Sequence, residues 1–141
     1  MKPLLIGVLT AGIAAGSLTG CALFSGGAGA RMNASPLVPA AEGHAKFGEA
    51  RNGNTSIDLT VKHLADPQKL TPPANNYVVW LRPNKDAPAQ NIGALIVDKD
   101  LVGRLNTVTA LRTFNLFVTP EASGQVQEPT GAQLLWTSHS D

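Results

Sequence analysis

From Gly43 onward, apolar residues recur at alternate positions in short runs separated by turn-forming residues. That is the pattern of β-strands and not of helices. The cleanest alternation runs from Thr55 to Leu64: Ile57, Leu59 and Val61 fall on one face, Asp58, Thr60 and Lys62 on the other. His44 to Arg51 precedes it across Asn52-Gly53-Asn54, a tight-turn signal, so the two runs are expected to form a hairpin. A three-residue turn sets Phe47 opposite Leu59, Ala45 opposite Val61 and His44 opposite Lys62. A two-residue turn sets Glu49 against Asp58 and brings Lys46 onto the apolar face. Like charges across strands are unfavourable, and a one-residue slip flips every side chain. The three-residue turn is therefore the expected one.

A proline-bearing loop, Ala65 to Asn76, leads to Tyr77-Val78-Val79-Trp80-Leu81-Arg82. Both faces of that strand are apolar, which predicts an interior position in a sheet. Further strands are expected at Ile92 to Asp98, Leu101 to Ala110, Arg112 to Thr119 and Ala132 to Ser138. About seven short strands in a hundred residues predict an all-β fold, an antiparallel β-sandwich that is immunoglobulin-like in general architecture. The paired cysteines of true immunoglobulin domains are absent. The sandwich is expected to occupy residues 42–141. Residues 21–41, rich in Gly, Ala, Ser and Pro, read as a flexible tether.

The first twenty residues have a different character. Met1-Lys2 is a short positive start, and Leu4 to Ala15 is apolar or small except for Thr10. These are the charged and apolar regions of a secretory signal peptide. Leu18-Thr19-Gly20-Cys21 follows and resembles the bacterial lipobox. The resemblance implies a diacylglyceryl group on the Cys21 thiol, removal of residues 1–20 and acylation of the new amino terminus, for instance by palmitate. Two or three acyl chains anchor stably where one does not. An uncleaved transmembrane helix from about Leu4 to Phe24 is nearly long enough, but four glycines and Ser17 make it a poor helix. An ordinary signal peptide leaves the cysteine unexplained. Ala22, in place of Asp, implies by the enterobacterial sorting rule an outer-membrane destination, with the domain facing the periplasm or exterior of the bacterial envelope.

Charge and composition narrow the function classes. The formal net charge is +1, and without Lys2 the chain carries ten basic and ten acidic residues. With no basic run, neither nucleic acid nor an anionic membrane surface is an expected partner. A single cysteine excludes an intrachain disulfide and, once lipidated, a blue-copper site. His44, His63 and His139 lack metal-ligand spacing, and no Gly-x-Ser-x-Gly elbow occurs. Asp98-Lys99-Asp100 reads as a solvated hairpin turn with too few ligands for calcium. No catalytic residue, metal or cofactor is therefore expected. Trp80 and Trp136 lie in apolar strands and are expected as core anchors; the competing reading is carbohydrate stacking. Pro129-Thr130-Gly131 reads as a turn in which Gly131 supplies positive φ, and as a possible interaction loop.

The order of several motifs resembles the extracytoplasmic C-terminal domain of anti-sigma-K factors. The motifs are the proline-containing loop at Leu70 to Ala74, Tyr77-Val78-Val79-Trp80-Leu81, Gly93 opening the next strand, Phe114 to Glu121, then Gly124, Pro129-Thr130-Gly131 and the terminal Leu134-Leu135-Trp136. The resemblance spans Gly43 to Trp136. It implies the sandwich fold and an outward-facing, non-catalytic role in sensing or interaction. Only Met1 to Pro3 precede the apolar segment, so the sigma-binding part of that family is not expected here. The expected function is a non-enzymatic envelope lipoprotein that binds a protein or envelope component. The alternative is a small-ligand sensor reporting to a separate membrane regulator, for which a pocket of several hundred cubic ångströms at Trp80 or Trp136 is the discriminating feature.

Overall fold

Residues 29–141 are described by the computed structural model. Their strands are β1 (Gly29–Arg31), β2 (Asn33–Ala34), β3 (Glu42–Glu49), β4 (Thr55–Lys62), β5 (Asn76–Arg82), β6 (Gln90–Ala94), β7 (Ile96–Val97), β8 (Gly103–Thr109), β9 (Phe114–Glu121) and β10 (Leu135–His139). They form two five-stranded antiparallel sheets. The first has the order β1-β3-β4-β8-β7, the second β2-β10-β9-β5-β6. The chain crosses between sheets at β1–β2, β2–β3, β4–β5, β6–β7 and β8–β9. This is an all-β sandwich with the general architecture expected.

Alternation places the core. Ala45, Phe47, Ile57, Leu59 and Val61 from the first sheet meet Tyr77, Val79, Leu81, Leu116, Val118 and Leu135 from the second, all buried. The first sheet turns a polar face to solvent, where Lys46 pairs with Asp58 and Asp58 with Asn106. The second sheet is apolar on its outer face too, which is why β5 lacks alternation. Val78, Trp80 and Phe117 form a second, smaller cluster there beneath Ala89 and Val126.

Three expectations are corrected. The β3–β4 hairpin closes over five residues: Phe47 pairs with Ile57, Ala45 with Leu59, His44 with Thr60 and Glu49 with Thr55. Arg51–Gly53 makes a 3-10 turn in which Asn52 (φ 65°) and Gly53 (φ 72°) both adopt the left-handed region. The Ala50 N–H closes the loop on the Asn54 carbonyl at 2.7 Å. The two-residue shift keeps every side chain on its expected face and sets Glu42 opposite Lys62, an opposite-charge pair.

The expected tether enters the sandwich at Gly29. β1 adds to β3 and β2 to β10, with Met32 and Val38 buried between and beyond them. Small residues read as linker, but here they permit close packing: a Cβ at Gly43 would lie 2.8 Å from the Met32 sulfur. Finally, the expected strand Ile92 to Asp98 is two strands in different sheets, broken at Leu95, whose side chain is buried and whose N–H donates to the Tyr77 carbonyl. These changes account for ten strands in place of seven.

Candidate functional site

Pro129-Thr130-Gly131 lies at the end of the sandwich where β9 leads out of the second sheet. Pro120 occupies β9 beyond the start of β10, where no ladder hydrogen bond needs its missing N–H. Gly131 packs directly on it: a Cβ there would fall 2.1 Å from the Pro120 carbonyl oxygen. Close approach, and not positive φ, is therefore what requires glycine; the positive-φ glycines among the described residues are Gly53 and Gly93.

One side chain holds the loop. Glu121 is buried, 1% exposed, and forms no ion pair among the described residues. Its Oε1 accepts from the Thr119 hydroxyl (2.6 Å), the Thr130 N–H (2.9 Å) and the Gly131 N–H (3.1 Å), and its Oε2 accepts from the Thr130 hydroxyl. Thr119 in turn accepts from the Trp80 indole N–H at 2.8 Å. Burial by itself pushes this carboxyl up; the Thr119 and Thr130 hydroxyls and the two backbone N–H groups outweigh it and hold the pKa below its ordinary value. Sequence reasoning did not assign this role, although an acidic residue ending the apolar strand FNLFVTPE, two positions after Thr119, was its signal.

The clamped loop forms one wall of a cleft of about 430 Å³. The opposite wall is the proline-bearing loop, with Leu70, Pro72 and Pro73, and Leu37 stands at the rim, 62% exposed. That loop is itself pinned, since the buried Tyr77 hydroxyl donates to the Ala65 carbonyl at 2.6 Å. Burial, reinforced by the negative charge of Asp66, pushes the phenol up to about 12. The cleft's lining is mainly apolar, with Lys69, Thr71, Glu121 and Thr130 as its polar members.

The tryptophans separate. Trp80 is fully buried, in the outer-face cluster. Trp136, expected in the core, is 37% exposed on the same face and lines a groove of about 320 Å³. The histidines do not converge. His44 and His63 are exposed, while His139 pairs in β10 and stacks on Phe47 at 4.4 Å. Among the described residues no group of three His, Cys, Asp or Glu is placed to hold a metal. The Asp98-Lys99-Asp100 turn is closed by Asp98, which accepts from the Val102 and Asp100 N–H groups and from Arg104. Cys21 lies outside the described residues. No known protein family matches the chain, and no curated protein is significantly similar to it in sequence.

Proposed function

We propose that this chain is a non-enzymatic lipoprotein of the bacterial envelope. It is anchored by lipid on Cys21 and binds a protein partner through the cleft bounded by Pro129, Thr130 and Gly131. The reading joins the lipobox to the anti-sigma-K-like order of motifs. The observation that carries it is the buried, hydrogen-bonded Glu121 that fixes the loop over an apolar cleft. Rigid apolar walls at a loop cluster suit a protein surface: little ordering entropy is left to lose on binding.

Register supports the orientation. Gly29 pairs with Lys46, beside Phe47 and its neighbour His139, at one end of the sandwich. Leu134, Glu121 and the cleft lie at the other. Gly29 is eight residues beyond Cys21, a reach of at most about 29 Å at full extension. The described chain therefore enters the sandwich at the end remote from the cleft.

The test is photo-crosslinking in intact cells from a crosslinker at position 37, with position 108 as control. A discrete protein adduct from position 37 that disappears in Thr130→Ala is expected. No adduct, or the same adduct from position 108, overturns the reading.

The small-ligand reading also has an observation in its favour, the groove at Trp136, whose volume reaches the lower range of small-molecule sites.

A further inference from the structure

The outer face of the second sheet carries a continuous cross-strand row. Asn33 pairs with Trp136, Trp136 with Phe117, Phe117 with Trp80 and Trp80 with Asn91. Loops cover one end of the row. Asn91 donates to the Gly124 and Val126 carbonyls (3.0 and 2.8 Å), closing the chain over Trp80. The other end is left open at Trp136. A half-exposed indole beside a buried aromatic layer presents an apolar ring face to solvent.

The next row supplies polarity. Ser138 pairs with Asn115 and Asn115 with Arg82. Asn33, Gln133 and Lys85 complete the groove beside Trp136. No carboxylate lines it. Arg82 and Lys85 form no ion pair among the described residues, where the pairs are Arg104–Asp98 and Arg112–Asp141. Arg82 lies over the Phe117 ring at 5.2 Å, and its buried Nε finds no acceptor among the described residues. The guanidinium is thus positioned by a cation–π contact and keeps hydrogen-bonding capacity.

From this juxtaposition we infer that the Trp136 groove binds a short oligosaccharide carrying a carboxylate. The indole face stacks on the apolar side of a pyranose ring. The amides of Asn33, Asn115 and Gln133 and the Ser138 hydroxyl hydrogen-bond ring substituents, and Arg82 with Lys85 takes the carboxylate. The inference rests on the small-ligand reading and names its ligand class; it is independent of the lipid and of the cleft at Thr130.

The chain holds two tryptophans, Trp80 fully buried and Trp136 half-exposed, so ligand-induced changes in fluorescence and in acrylamide quenching report on Trp136. The full chain in detergent is titrated with three probes: an N-acetylglucosaminyl-N-acetylmuramic acid disaccharide, digalacturonate and the neutral di-N-acetylchitobiose. Saturable protection of Trp136 by one or both acidic probes is expected. Response to the first alone assigns a peptidoglycan strand, response to the second alone an acidic polysaccharide, and both support the shared chemistry. Arg82→Gln and Trp136→Ala should each weaken binding about tenfold or more, with Trp136→Phe retaining much of it. Thermal unfolding checks that each variant is folded; Lys85→Gln, at an exposed position, keeps the test open if another variant is not. Equal binding of the neutral disaccharide overturns the acidic class while sparing the small-ligand reading. No response to any probe, or unchanged affinity in folded Trp136→Ala, overturns the inference itself.

Discussion

Glu121→Ala removes the acceptor for four donors at once: the Thr119 and Thr130 hydroxyls and the Thr130 and Gly131 N–H groups. The hydroxyls can rotate toward other partners. The two backbone N–H groups cannot without moving the loop, and an unsatisfied buried donor costs about 1–3 kcal/mol. Removing the charge also spares its desolvation, which offsets part of the loss. The net expectation is a destabilisation of about 3–5 kcal/mol, and a fall in Tm of roughly 10 °C or more for a domain of this size. The pH dependence separates the carboxylate from mere packing. Glu121 is held below its ordinary pKa in the fold, so its contribution is present above the unfolded value of about 4.3 and is lost as pH falls through the folded value. Urea unfolding followed by tryptophan fluorescence between about pH 3 and 7 measures it. The wild-type curve should fall more steeply in acid than that of Glu121→Gln, whose side chain keeps one oxygen acceptor and loses the titration. Parallel curves, or wild-type stability in Glu121→Ala, would refute the clamp.

Other outcomes follow from the same geometry. Trp80→Ala should cost about 3–5 kcal/mol by equilibrium unfolding, because the indole is fully buried and donates to Thr119; unchanged unfolding would count against the outer-face cluster. Gly131→Ala should loosen the 129–131 loop, seen as faster hydrogen exchange at Thr130 and at residue 131, since its Cβ meets the Pro120 carbonyl. Tyr77, the one tyrosine, should ionise near 12 in ultraviolet titration of the folded protein. Its raised pKa contributes stability that is full below 10 and lost as pH rises through about 12, and Tyr77→Phe should abolish that alkaline loss.

What the sequence revealed depended on which interactions leave a pattern. Thr55 to Lys62 alternates because one face meets the core and the other water, so its faces were legible. The hairpin register was not, because two left-handed residues at Asn52 and Gly53 build a longer loop than either short turn. β1 and β2 add by backbone pairing, which Gly29, Ala30 and Ala34 permit without an apolar signature. The apolar faces of Tyr77 to Arg82 were legible, but not that loops cover the outer one. Trp136 follows the buried Leu134 and Leu135, and only its neighbours on β2 and β9 show it open to solvent. Pro129-Thr130-Gly131 stood out as a turn, whereas the Glu121 clamp depends on a contact across nine and ten residues that no periodicity encodes.

The anchor is the central claim of the functional account, and one measurement reaches it directly. Cells producing the full chain, or Cys21→Ser, are fed labelled palmitate, and the protein is isolated and sized. Label on a processed wild-type chain, with unlabelled and unprocessed Cys21→Ser, is the expected result. Label retained without Cys21, or a processed wild-type chain that carries none, would contradict the account.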